Sequence, residues 1–166
     1  YGTNLGQPDL MYTGNLSLST ILRHAPNVLP VMAEVIAEPA FTEASFVRFQ
    51  KRWRQRLREG MSDNDTLAFR LITESIFGST HPYGYNGYSP DYDHLTLDDV
   101  KSYHRSHFHA SNATLFVTGK LTTEVENLLD RTFGQLPIGH RPEAPLPSPK
   151  ITPPELLQVL RPRAQQ

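Results

Sequence analysis

The residues best suited to chemistry in this chain are its imidazoles, and three of them, His104, His107 and His109, form an H-x-x-H-x-H run. Two histidines at i and i+3 share one helix face and can hold a metal between them. Zinc needs three or four converging ligands, and His109 stands past the expected end of its helix, so His104 and His107 form only a weak alternative metal site. A solvated helix terminus, where imidazolium complements the negative end of the dipole, accounts for the same residues more simply. His81, in His81-Pro82-Tyr83-Gly84, can act as a general base, but a loop histidine more often ties its loop to the core. The acid pairs Asp63 and Asp65, and Asp98 and Asp99, fall at helix starts, where the dipole explains them.

Six cations, Arg48, Lys51, Arg52, Arg54, Arg56 and Arg58, crowd one expected helix. Clustered Lys and Arg can neutralise phosphates, which makes a nucleic-acid-binding module using residues 48–58 a second alternative function. They surround the helix on both sides of its apolar stripe, with no stacking platform beside them, so a solvated face is favoured and no nucleic-acid partner is expected. The chain has no G-x-S-x-G, Walker A, G-x-G-x-x-G, H-E-x-x-H or H-x-x-E-H pattern. No nucleophile, base and oxyanion site can be assembled from it.

Composition narrows the classes. With 166 residues, 38% of them hydrophobic and 20% charged, and a formal charge of -1, the chain reads as one soluble domain with a tail. Folding at this size buries roughly 68 to 70% of the unfolded surface, enough for a core without disulfides. The absence of cysteine excludes thiolate zinc, iron–sulfur and thiol-nucleophile sites and leaves the redox compartment open. The balanced charge offers no field for anionic membranes, and no apolar run nears the roughly 18 to 20 residues of a membrane span. The chain opens Tyr1-Gly2-Thr3-Asn4, without Met or a leader, and is therefore expected to be a piece of a longer polypeptide.

Several elements must position these groups. Residues 15–20 alternate as a half-buried strand, with residues 1–6 as its partner. Asn27 is expected to cap a helix to about Glu38, with Pro30 in its first turn. Thr42 opens a helix over about 42–60 whose Phe46, Phe49, Trp53 and Leu57 form an inner apolar stripe. A third helix spans about 65–77, and residues 77–87 form a turn-rich loop. Thr96-Leu97-Asp98-Asp99 is a capping box with Asp in place of Glu, starting a helix to about Phe108. Residues 113–119 read as a β-rich strand and 122–133 as an amphipathic helix. Eight prolines after residue 136 mark the end of the chain as linker or extended tail.

The order of these pieces resembles the insulinase family. The resemblance rests on Glu38-Pro39-Ala40-Phe41, the charged helix, Phe77-Gly78 with His81-Pro82-Tyr83-Gly84, and Leu95-Thr96-Leu97-Asp98-Asp99-Val100 followed by Tyr103-His104. Ser111 to Gly119 and Phe133-Gly134-Gln135-Leu136-Pro137 continue it in register. The family, which includes pitrilysin and the mitochondrial processing peptidases, consists of inverzincin zinc metallopeptidases. The resemblance implies an α+β fold, a two-layer sandwich of a mixed, mainly antiparallel sheet with packed helices, truncated at its N-terminus. Residues 1–138 are then a partial peptidase unit, and 139–166 a Pro-rich linker or tail.

Family units work in pairs that close around an unfolded peptide. One unit carries H-x-x-E-H, with a Glu on a later helix completing the zinc site, and the other is commonly degenerate. The spacing kept by active members between the loop histidine and that Glu places Leu57 at the ligand position, where an isobutyl group has no lone pair. Glu59 lies two residues on, about 200° around the helix, and is no simple substitute. The resemblance therefore implies no catalytic and no metal residue in this chain, with zinc held by an active partner unit in cis or in trans. The expected role is a non-catalytic domain of a zinc metallopeptidase that lines the peptide chamber and pairs with an active unit; edge strands can also pair two copies. The other enzyme reading is a fragment of an active unit whose H-x-x-E-H lies upstream of residue 1. Bacterial relatives occur in the cytoplasm and the periplasm, so the compartment stays open.

Overall fold

The computed structural model describes residues 4–6, 14–85, 89–140, 143, 147–149 and 156–160. Two short strands, β1 (Asn4–Gly6) and β2 (Ser17–Ser19), are followed by the helices α1 (Ala25–Ala37), α2 (Glu43–Gly60), α3 (Asn64–Phe77), α4 (Ser89–His94), α5 (Leu97–His107) and α6 (Thr123–Phe133). Three-residue 3-10 turns precede α1 and follow α5.

The helix starts follow the local chemistry. Thr42 caps α2 by accepting from Ser45 N–H, Asp63 caps α3 by accepting from Thr66 N–H, and Thr122 caps α6 by accepting from Val125 N–H. Thr96 and Asp99 close a reciprocal box at α5, in which Thr96 N–H and Oγ1 donate to Asp99 Oδ2 at 2.9 and 2.6 Å while Asp99 N–H donates to Thr96 Oγ1 at 3.1 Å. The start of α1 differs from expectation. It begins two residues before Asn27, with His24 as an N-cap that makes no side-chain bond, so Pro30 lies inside the helix. The reason is Pro26, which fits the first turn as well as Pro30 would, because an N–H there has no helical partner.

The expected sheet sandwich is not what forms. The partner strand does: Leu5 pairs with Leu18 in an antiparallel register flanked by Asn4 with Ser19 and Gly6 with Ser17. That ribbon is all the strand among the described residues, and the remaining architecture is helical. The correction turns on residues 113–119. Their β-rich composition favours an extended backbone, but a strand also needs a ladder partner. Among the described residues no backbone hydrogen bond reaches 114–119, and Phe116 is 86% exposed.

Among the described residues the helices pack most extensively at two joints, α1 against α6 and α2 against α4. At the second, Trp53 lies 5.8 Å from Phe49 and 5.6 Å from Tyr92, ring to ring. Gln50 Nε2 donates to the carbonyls of Tyr92 and Leu95 at 3.0 and 3.1 Å, and Arg54 pairs with Asp93 at 2.6 Å. The helix α4 is not expected from the sequence, where no element stands between the loop and Thr96. Among the described residues the buried hydrophobic side chains are only Ala25 and Met32, while Thr73, His81, His104 and His109 are buried polar ones. The stripe of α2 is half-buried at Phe46, Trp53 and Leu57 and exposed at Phe49.

Candidate functional site

The groups to weigh here are the helix face around Leu57, the histidines of α5 with His109, and the segment 114–119, unpaired among the described residues. Leu57 is half-buried in the last turns of α2. Its neighbour Glu59 is exposed, and its Oε1 accepts from Gln55 Nε2 at 2.8 Å along the helix surface, so no carboxylate shares the face of Leu57 at that turn. Of the six cations of α2, Arg54 pairs with Asp93, Arg48 donates to Ser45 Oγ at 3.1 Å, and Arg56 stands 6.0 Å over the Trp53 ring.

The three histidines do not converge. His104 is buried, its Nε2 donates to the Ile36 carbonyl at 2.8 Å, and its ring stacks on Phe108 and meets the edge of Phe41. Phe41 holds a left-handed φ of 36°, a strained conformation for a bulky residue, in the turn that brings its ring to His104. His107 is half-buried, with Nδ1 directed to the Tyr103 carbonyl at 3.0 Å and to Ser106 Oγ at 2.8 Å and its ring stacked 4.0 Å from Tyr103. His109 is 3% exposed, and neither ring nitrogen has a partner among the described residues. Among those residues no group of three or more His, Cys, Asp or Glu gathers in a way that could hold a metal ion.

Two helix caps tune the carboxylates they hold. Hydrogen bonds from the Thr96 side chain and then its backbone hold the Asp99 carboxyl below the ordinary range, and the Thr122 side chain does the same for Glu124. Both are surface carboxylates whose tuning serves helix starts.

Residues 114–119 present Leu115, Phe116 and Val117 together, all exposed, on a backbone that makes no backbone hydrogen bond among the described residues. Its β-rich composition points to a sheet and carries no sign of this exposure. The helix α3 has a comparable stripe: Phe69, Ile72 and Ile76, spaced three and four apart, are all exposed. No helix among the described residues is long and apolar enough to cross a membrane.

Residues 94–166 match a family model described as the Peptidase M16 inactive domain. The matched stretch runs from the last residue of α4 through α5, the unpaired segment and α6 into the proline-rich end. No curated protein matches the chain.

Proposed function

We propose that this chain, whose residues 94–166 match the Peptidase M16 inactive domain, is a degenerate or partial unit of the insulinase-like M16 family that serves as a non-catalytic wall of a peptide-binding chamber and pairs with an active, zinc-bearing unit. The observation that carries the reading is the exposed apolar segment 114–119, whose backbone is unpaired among the described residues. An extended peptide laid along it gains main-chain hydrogen bonds that are indifferent to sequence, while Leu115, Phe116 and Val117 offer apolar contacts. The leucine at position 57 supports the absence of a metal role, because a zinc site at that turn needs a lone pair that Leu57 does not have.

Pairing has its own support. A domain of this size ordinarily buries a core, yet the exposed Phe69, Ile72 and Ile76 leave an apolar stripe on α3. Side chains of this kind contribute roughly 1.5–3 kcal/mol each when fully buried, so covering the stripe favours association by several kcal/mol before the entropic costs. The parent protein, in this reading, is a zinc metallopeptidase whose ion resides in the partner unit.

The test is fluorescence anisotropy of a labelled unfolded peptide titrated with the full chain in the presence of zinc, with mass spectrometry of the peptide afterwards. Saturable binding at micromolar to sub-millimolar concentration, reduced by Phe116→Asp, with the peptide left intact, is expected. Zinc-dependent cleavage would overturn the non-catalytic role, and the absence of binding up to a millimolar would overturn the chamber role.

A further inference from the structure

His81 and His109, which play no part in that function, both face the proline-rich stretch. His81 is 4% exposed, its Nε2 lies 2.8 Å from the Pro147 carbonyl oxygen, and the Tyr83 N–H reaches its Nδ1 at 3.0 Å. A carbonyl oxygen only accepts, so Nε2 carries the proton and Nδ1 offers its lone pair to Tyr83. The neutral Nε2–H tautomer satisfies both contacts. Around it, Phe77 stacks on the imidazole at 5.0 Å, and Tyr83 lies 5.5 Å from both rings. No ion pair among the described residues reaches either histidine.

The second contact lies at the other end of the stretch. Ala110 N–H donates to the Pro137 carbonyl at 2.8 Å, and Gly139 sits against the His109 ring so closely that a Cβ there would stand 2.5 Å from Cδ2. His109 is a flat, buried plate, and only glycine fits against it without displacement.

We propose that Phe77, His81 and Tyr83 form a binding site for an extended, proline-flanked peptide segment, filled in cis by this chain's own Pro147, with Gly139 on His109 as the second anchor. Aromatic rings beside one hydrogen-bond donor are the chemistry that recognises such segments, whose carbonyls are free and whose backbone is ordered in advance. A single hydrogen bond would hold a separate peptide weakly. Tethering supplies an effective concentration of the order of millimolar, which makes the contact persistent. The described residues around Pro137 and Gly139, and around Pro147, are thus each held against the helical body. Chain leaving Pro149 can place Leu156, at the head of an exposed Leu-Leu-Gln-Val-Leu run, no further than about 25 Å away.

The absence of cysteine lets a single nitroxide be attached at Ser148→Cys in the full chain. Paramagnetic broadening of the Tyr83 amide is expected, together with nitrogen shifts of His81 showing a protonated Nε2 and a bare Nδ1. The His81→Phe substitution keeps a ring and removes the donor, and should reduce the broadening at least fivefold, whereas His81→Gln, with an amide donor of similar reach, should retain most of it. The proposal is overturned by a chain with no broadening at Tyr83, by the opposite tautomer, or by broadening unchanged in His81→Phe. Should His81→Phe fail to fold, the tautomer and broadening of the otherwise unaltered chain decide the matter.

Discussion

At the scale of single residues, His104 combines a ring packed against Phe41 and Phe108 with a hydrogen bond to the Ile36 carbonyl. Losing the bond costs about 1 kcal/mol and losing the aromatic contacts about 0.5–1.5 kcal/mol, with a cavity penalty on top. His104→Ala should therefore lower stability by about 2–3 kcal/mol in urea unfolding; unchanged stability with lost zinc would instead mark a ligand. Asp99 gives a pH prediction whose sign is fixed by its bonds to Thr96. Its carboxyl is held below the ordinary value in the folded chain, so its contribution is present above the unfolded value and lost as the pH falls through the folded one. Asp99→Asn should flatten that part of the stability profile on the acid side, measured by thermal melts from neutral to acid pH. The Thr96 box was legible in the sequence because its partners are three residues apart. The bond from His81 to Pro147 was not, since its partners are 66 residues apart and no periodicity connects them.

At the scale of elements, local signals carried the helices. Thr42, Asp63, Thr96 and Thr122 sit where each helix begins, and the structure uses all four side chains as caps. Thr42→Ala should cost about 1 kcal/mol, read as a lowered melting temperature with unchanged helix content. The joint of α2 and α4 depends on Gln50, whose amide serves two carbonyls at once. Gln50→Leu leaves both without that donor and should speed hydrogen exchange in α4 well before the other helices; exchange that rises evenly across the chain would count against a local joint. Residues 113–119 went the other way. Their composition favours extension and the backbone is left without a ladder, so a residue-level preference was legible while its pairing, a property of distant chain, was not. The helix α4 escaped notice because six residues give too short a span for a helical period to be read.

At the scale of the whole molecule, the family resemblance was carried by the order of short motifs, and the match over residues 94–166 agrees with it. The architecture departs from that resemblance, which implies a mixed multi-stranded sheet where the described residues hold only the two-stranded ribbon of β1 and β2. What the molecule does present is a helical body with exposed apolar stripes on α3 and at 115–117. Sedimentation velocity over a wide concentration range should show self-association that weakens in the double variant Phe69→Asp, Phe116→Asp, as expected of surfaces made to be covered. The central claim, that this unit neither holds the catalytic ion nor cuts peptide, is tested most directly by elemental analysis. The full chain should be loaded with equimolar zinc and passed through gel filtration. Zinc far below one ion per chain is predicted; a retained stoichiometric ion, released by changing His104 and His107 to Ala, would contradict it.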